Sequence, residues 1–267
     1  MKTYIVDAFT EQPFRGNPAG VCFPAQPLDE GLMLRIAQEL GLSETAFVSG
    51  AQDALSIRFF SPVMEIPLCG HATLSAAVVA MERAGSNAVC FENVQGLRLE
   101  ARQTRAGVEL VFPRYPVMPA RAPDQLLAAL GVEDVTNSVF NEETRILMLE
   151  IPSAEALARL SPDFDALLRS HDEINGVLVT APAADGYDFH SRYFWPWSGT
   201  QEDPVTGGTH TFLAPYWAER LGRNDVSSYQ SSARGGSMRV EVREQDILII
   251  ARATIVLEGE MRLGDAA

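Results

Sequence analysis

Glu44 stands in Leu42-Ser43-Glu44-Thr45-Ala46-Phe47, between a helical stretch and an extended one. A carboxylate held beside a substrate C–H can take up a proton and return it elsewhere. The apolar neighbours Leu42, Ala46 and Phe47 are expected to desolvate it and raise its pKa toward neutrality. Composition alone favours a plainer reading, an exposed loop glutamate. Two other segments share a pattern. Cys69-Gly70-His71-Ala72-Thr73 opens one helix, and Thr206-Gly207-Gly208-Thr209-His210 opens another. A helix N-terminus offers unpaired backbone N–H groups and partial positive charge, and two of them opposed would grip a small carboxylate. Each turn taken singly reads more readily as an ordinary loop-to-helix turn.

His71, at its helix start, is expected to be kept neutral by the helix dipole, which suits hydrogen bonding to a substrate carbonyl. The alternative is a surface or capping histidine. His210 has the mirrored place, slightly deeper in its helix. Asp203 is held extended by Pro204, either for chemistry or for the turn itself. Cys69 is an activated thiolate or a small buried residue. A two-thiol racemase needs a second cysteine at the matching turn, where Thr206 stands. His171 and His190 have no partners in the sequence and read as structural.

The rest of the 267-residue chain excludes other chemistry. Its single lysine is Lys2, which leaves Schiff-base catalysis almost without a carrier. With 21 basic and 35 acidic side chains the net charge is −14, which argues against nucleic acid or an anionic membrane as partner. No signal peptide is read in Met1–Phe9, and the longest apolar run, about six residues around Ala76–Met81, is too short to cross a membrane. Cys22, Cys69 and Cys90 form no metal-finger spacing and suit a reducing cytoplasm. GxGxxG, GK[ST] and HExxH are absent.

The elements that must position these residues alternate. Strands are expected at Tyr4–Phe9 and Gly20–Phe23, and a helix from the Asp29 cap through Leu32, Ile36 and Leu40 to Gly41. Strands Thr45–Val48 and Leu55–Phe60 follow, then a helix Ala72–Ala84 stopped by Gly85. Ala88–Phe91, Leu97–Arg102 and Val108–Phe112 read as strands. The prolines at 113, 116, 119 and 123 read as a linker. Beyond it, helices are expected at Pro123–Leu130, Ala154–Leu160, Phe164–His171 and Thr209–Leu221. Strands are expected at Arg145–Glu150, Val177–Ala181 and Tyr187–Trp195, with a hairpin of Met238–Arg243 and Ile247–Ala251 and a final strand Ile255–Leu263. The pattern is α+β in two halves, each a mixed sheet with a long helix.

Asp7-Ala8-Phe9-Thr10, Gly16-Asn17-Pro18-Ala19-Gly20-Val21 and Leu42–Phe47 resemble the N-terminal half of the PhzF-like proteins, named for an isomerase of phenazine biosynthesis. Pro67–Leu74 is similar to their first glycine–histidine motif, and Arg192-Tyr193-Phe194 through Glu202–Gly207 to their second. The resemblance implies a diaminopimelate epimerase-like fold: two similar domains, 1–117 and 118–255, each a mixed β-sheet wrapped round a central helix, related by a pseudo-twofold. The last strand, 256–267, is free to complete the first domain. It implies an active site in the cleft between domains, with catalytic Glu44, His71 and Asp203 and substrate-binding Asn17, Ser43, Gly70, Ala72, Gly207, Gly208 and Thr209. It implies no cofactor, no metal, a small anionic or amino-acid-like substrate, and a homodimer. The expected activity is a proton-moving isomerase with Glu44 as base and then acid. The alternatives are an amino-acid racemase or epimerase using Cys69, and a non-catalytic small-ligand binding protein on the same fold. Gly208 stands where the family usually has serine, so a substrate hydroxyl contact is lost or passes to Thr209. Arg252-Ala253-Thr254 replaces a usual glycine-containing strand motif.

Overall fold

The computed structural model describes residues 1–51, 54–183 and 185–264. Its elements run β1 (Lys2–Ala8), β2 (Asn17–Phe23), α1 (Glu30–Leu40), β3 (Glu44–Ala51), β4 (Ala54–Phe60), β5 (Glu65–Ile66), α2 (Gly70–Ala84), β6 (Ala88–Glu92), β7 (Arg98–Gln103) and β8 (Val108–Pro113). Then come β9 (Met118–Pro119), α3 (Asp124–Leu130), β10 (Asn137–Asn141), β11 (Ile146–Glu150), α4 (Ala154–Arg159), α5 (Phe164–Ser170), β12 (Gly176–Pro182) and β13 (Phe189–Trp195). The chain ends with β14 (Thr200–Asp203), α6 (His210–Leu221), β15 (Asp225–Gln230), β16 (Gly236–Val242), β17 (Asp246–Ala251) and β18 (Ala253–Glu260). It divides into two compact units: Met1–Val111 with Leu248–Ala267, and Phe112–Ile247. The first crossing falls inside β8, ahead of the proline cluster, and the return falls inside β17, which pairs with β8.

In the first unit β18, β1 and β2 are antiparallel neighbours. β2 and β3 are parallel, β3 and β4 antiparallel, β4 and β6 parallel, and β6, β7 and β8 antiparallel. This mixed sheet wraps α2, which packs on β1, β2, β3, β6, β7 and β18. Ten α2 residues are buried, on every side of the helix. An all-round apolar helix belongs in a core, and Ala72, Ala76, Ala77 and Ala80 keep it slim enough to be enclosed. α1 covers the outside with Leu32, Met33, Ile36 and Ala37 packed on Cys22, Phe47 and Phe60.

The second unit repeats this plan. β9, β10 and β11 are antiparallel, β11 and β12 parallel, β12, β13 and β14 antiparallel, β13 and β15 parallel, and β15 and β16 antiparallel. Its enclosed helix is α6, buried from His210 through Ala218. Pro215 lies inside it and has no N–H to give the carbonyl of Thr211. That carbonyl is not orphaned, because the Tyr115 N–H donates to it at 2.9 Å. α3, α4 and α5 cover the outer face around Leu126, Leu130, Leu157 and Leu167.

Caps follow the sequence closely. Asp29 accepts from the Leu32 N–H, and Gly41, Gly85 and Gly222 end their helices in the left-handed conformation. β3 is longer than Thr45–Val48, beginning at Glu44 itself. β5, β9, β10, β14 and β15 lie where no strand was expected. The first two have only two residues each, and the other three are rich in Asn, Gln, Ser and Thr rather than apolar residues.

Candidate active site

The first group of residues is assembled by α1, β2, β3 and α2. Gly41 closes α1 at φ 64°, a conformation costly for any residue with a Cβ, and the chain reaches β3 three residues later. Glu44 then lies opposite Ala19 of β2. Asn17 begins β2 just after Gly16, where a Cβ would stand 2.0 Å from the Ala8 carbonyl oxygen. α2 starts at Gly70 with Cys69 as its N-cap, and His71 is in its first turn.

These elements bring Glu44 and His71 into direct contact, with Oε2 and Nε2 3.1 Å apart. Glu44 is 7% exposed and His71 8% exposed. The Ser43 hydroxyl lies 3.4 Å from the same ring nitrogen and hydrogen-bonds the Glu44 carboxylate. On the other edge of the ring, Nδ1 faces the Cys69 sulfur at 3.4 Å and the Asn17 amide nitrogen at 3.5 Å. Ala72 is wholly buried, and its backbone N–H meets the Cys69 sulfur. Asn17, Ser43, Glu44, Gly70, His71, Ala72 and Cys69 thus form one cluster.

The electrostatics overturn two expectations. Burial does push the Glu44 carboxyl up, but the hydrogen bond and charge of His71 and the Ser43 hydroxyl outweigh it and hold Glu44 below its ordinary value. Burial likewise works against charge on His71, yet the Cys69 sulfur and the Glu44 carboxylate hold it well above its ordinary value. Burial raises the Cys69 thiol, so near neutral pH Glu44 is the negative partner that keeps His71 protonated. The cluster is an ionised Glu44–His71 pair rather than a high-pKa carboxyl beside a neutral imidazole. A helix dipole at a first turn is weaker than an ionised carboxylate 3.1 Å away.

The second group lies in the other unit. Asp203 ends β14, opposite Tyr193 of β13, and is 8% exposed. β14 is held by a two-pronged contact of Arg192 with Glu202, both bonds 2.8 Å, and Arg192 also donates to the Leu160 carbonyl. The Thr206 hydroxyl donates to the Asp203 carboxylate. Burial, then the Asp203 charge, push the Tyr193 phenol far above its usual range, so it remains a neutral hydroxyl. Gly207 is buried, and Gly208 is exposed with nothing within 4 Å of where a Cβ would stand. Thr209 is 1% exposed, and its hydroxyl donates to the Thr206 carbonyl, so it is engaged within the turn.

His210 is neutral. Its Nδ1 lies 3.0 Å from the Thr206 carbonyl, which can only accept, so Nδ1 carries the hydrogen, and Nε2 meets the Ser228 hydroxyl at 2.8 Å. Burial lowers its pKa to about 4. His190, read as unpartnered from sequence, lies between the Ser231 hydroxyl at 3.0 Å and the Asp185 carboxylate at 3.1 Å.

Gln230 escaped the sequence reading. Its side-chain oxygen accepts the Thr206 N–H at 2.9 Å, and its amide nitrogen donates to the Asp203 carbonyl at 2.7 Å. The Ser232 hydroxyl holds the Pro204 carbonyl at 2.6 Å. Together they fix the Asp203–Thr206 turn. The available signal was the alternation Val226, Ser228, Gln230 along one buried face of β15.

With the geometry in place, comparison with known proteins gives the family. The PhzC-PhzF family, described as phenazine biosynthesis-like protein, matches residues 6–259. A mouse protein named phenazine biosynthesis-like domain-containing protein 2 is 38% identical over 97% of this chain and 98% of its own. A protein of Halalkalibacterium halodurans named as an uncharacterized isomerase is 37% identical, with the same coverage of both chains. The crystal structure of a PhzF-family protein from Enterococcus faecalis superimposes with a TM-score of 0.90 at 37% identity, covering 98% of this chain and 99% of that one. A hydroxyproline epimerase from Agrobacterium vitis shares the fold at a TM-score of 0.55 and 12% identity, over 97% of this chain and 90% of that one. The chain belongs to the PhzC-PhzF family. Its fold is the mixed sheet with an enclosed helix found in that family and in epimerases. Among the described residues no helix is long and apolar enough to cross a membrane.

Proposed function

We propose that this PhzC-PhzF family member is an isomerase that works without a cofactor and moves a proton within a small anionic or amino-acid-like substrate. The observation that carries the reading is the buried, ionised contact of Glu44 with His71. Glu44 is already a carboxylate at neutral pH and needs no activating step to act as a base. Each carboxylate oxygen has two lone pairs, so binding His71 through Oε2 does not exhaust its capacity. The carboxylate takes a proton from a carbon made acidic by a neighbouring carbonyl, imine or diene and becomes a carboxylic acid. It then returns that proton to another carbon on the same face of the delocalised intermediate. Because Glu44 and His71 are nearly closed to solvent, exchange with bulk water is slow relative to return.

His71 turns both ring nitrogens to groups of its own unit: Nε2 faces Glu44, and Nδ1 faces the Cys69 sulfur, with the Asn17 amide nitrogen 3.5 Å away. It therefore orients the base and moderates its charge. Asp203 is assigned to the substrate's polar groups, with Thr206 and Gln230 fixing its turn. Asn17, Ser43, Gly70, Ala72, Gly207, Gly208 and Thr209 remain the proposed substrate-binding set. Cys69 touches the same imidazole, which favours the racemase reading. Its raised pKa and the threonine at the matching turn weigh against it. A cytoplasmic homodimer remains the proposed setting.

The experiment is exchange into deuterated buffer, followed by NMR on a panel of small carboxylates and amino acids. The expected result is isomerised product, with a minority of deuterium at the proton-receiving carbon, made by the wild type and not by Glu44→Gln. Tight ligand binding with neither product nor exchange would make the protein a binding module.

A further inference from the structure

Glu44, Cys69 and His71 have a second property that proton transfer does not use. Their donor atoms, a carboxylate oxygen, a sulfur and a ring nitrogen, all lie within 4.8 Å of one another. All three side chains are buried, and among the described residues they are the one group of this kind. Cys69 Sγ and His71 Nδ1 are 3.4 Å apart. Two ligands on one tetrahedral zinc ion, at bond lengths of about 2.3 Å to sulfur and about 2.0 Å to nitrogen, stand about 3.5 Å apart. The sulfur–nitrogen edge of such a site is therefore already in place.

We propose that Glu44, Cys69 and His71 form a binding site for Zn²⁺, with the Glu44 carboxylate turning from Nε2 toward the Cys69–Nδ1 edge to complete a three-residue set. The fourth position is left for water. The carboxylate stands 3.1 Å from Nε2 and must swing to the Nδ1 side; the three donor atoms lie within 4.8 Å of one another, against about 3.5 Å for a tetrahedral edge. The chemical class follows from the donors. Thiolate, imidazole and carboxylate together suit a borderline-soft cation, whereas Mg²⁺ and Ca²⁺ demand oxygen ligands. On binding, the thiol and the imidazolium each release a proton to solvent, and three metal–ligand bonds replace the Glu44–His71 pair. The ion is an inhibitor, not a cofactor, because its positive charge on the Glu44 carboxylate lowers the basicity that proton removal needs. That consequence rests on the proposed isomerase reading, while the binding itself does not.

The test uses the metal alone on the full chain. Zn²⁺ is titrated against a chromophoric chelator, and Co²⁺ serves as a spectroscopic stand-in. The expected result is one equivalent bound, little competition from Mg²⁺, and a thiolate-to-cobalt charge-transfer band. Affinity should fall by more than the roughly tenfold to hundredfold cost of losing an outer-shell partner in Cys69→Ser and in His71→Gln, and the band should vanish in Cys69→Ser. Circular dichroism of both variants separates loss of a ligand from loss of the fold. Unchanged affinity in folded Cys69→Ser, or a cobalt spectrum without a sulfur band, overturns the site. Neither readout involves turnover, so this proposal and the isomerase reading fail separately.

Discussion

The starts of α2 and α6 carry the same ingredients and reach opposite states. Each places a glycine and a buried histidine at the N-terminus of the helix enclosed by its unit. His71 faces a carboxylate and a thiol and is held protonated. His210 faces a backbone carbonyl and a serine hydroxyl, and burial keeps it neutral. Helix position is shared, so it does not decide the charge; the partner does. A dipole acting through one turn contributes about 1 kcal/mol, while an ionised hydrogen-bond partner in a buried setting contributes more. One helix start thus holds a charged histidine beside the proposed proton carrier, and the other anchors its turn through the Thr206 carbonyl and Ser228.

The strongest way to break the comparison is to remove the partner. Glu44→Gln keeps the shape and deletes the charge. Turnover on a substrate found in the exchange screen is expected to fall by about 10²–10⁴, the usual worth of a positioned acid–base. The same change should bring the His71 pKa down while leaving His210 neutral, read by NMR titration of the ring protons. Activity within tenfold of wild type would mean that Glu44 is not the proton carrier.

Next in size is the pH dependence of stability, where the two histidines act at opposite ends. His210 has a folded pKa of about 4, below its ordinary 6.5. Its contribution is present above pH 6.5 and is lost as pH falls toward 4, because the unfolded chain takes up the proton first. A shift of about 2.5 pH units corresponds to about 3 kcal/mol. His71, with its folded pKa raised, contributes fully below pH 6.5 and loses that contribution as pH rises through the folded value. Glu44, lowered from 4.5, contributes above that value and loses it as pH falls through its own folded pKa. Urea unfolding from pH 4 to 9 reads the two histidines. His210→Asn should flatten the acid limb and His71→Asn the alkaline limb. If His71→Asn leaves the alkaline limb as steep as wild type, the ion pair is not what holds its proton.

How much of this was legible in the sequence depends on what carried the signal. Gly41, Gly85 and Gly222 end their helices because only a residue without a Cβ takes those angles cheaply, and that is a one-residue signal. The all-round burial of α2 and α6 is visible in their alanine-rich or aromatic composition. β15 was not legible, because its buried face is Val226, Ser228 and Gln230, and polar residues satisfied by distant partners look like surface. The positions of Glu44 and His71 were legible through local motifs. Their charge states were not, since a pKa is fixed by groups 27 residues apart meeting at 3.1 Å. Apolar sequence neighbours gave the wrong sign for Glu44 because the decisive neighbour is not adjacent in the chain.

Cys69 sharpens the comparison from the side of the thiol. Burial raises its pKa, and Glu44 rather than the sulfur supplies the charge at neutral pH. Cys69→Ser keeps a small hydrogen-bonding group beside Nδ1. Activity on the same substrate is expected to stay within about tenfold, a difference of about 1.4 kcal/mol. A loss of several orders of magnitude would restore the two-base racemase reading. His71 titration in the same variant should show a pKa lower than in wild type, because the sulfur is one of the two neighbours that raise it, yet still held up by Glu44.

The smallest effect concerns Gly208, where the resemblance leads one to expect serine. Its φ lies outside the left-handed region, it is exposed, and nothing stands within 4 Å of a Cβ placed there. Its carbonyl accepts the Thr211 hydroxyl at 2.8 Å, a bond that a side chain at 208 leaves intact. Glycine is therefore not required by the backbone at this position. Gly208→Ser should stabilise the protein slightly, by about 0.4–1 kcal/mol, because it restricts the unfolded chain more than the folded one. The added hydroxyl enters open space, and Thr209, committed to the Thr206 carbonyl, does not compete with it. If this turn binds substrate, KM should fall by at most about tenfold with kcat nearly unchanged, the size of one neutral hydrogen bond. Thermal unfolding separates the outcomes. A loss of stability beyond about 1 kcal/mol would show that the turn needs glycine after all. A gain with unchanged KM would leave the proposed substrate recognition in this unit to Asp203 rather than to residue 208.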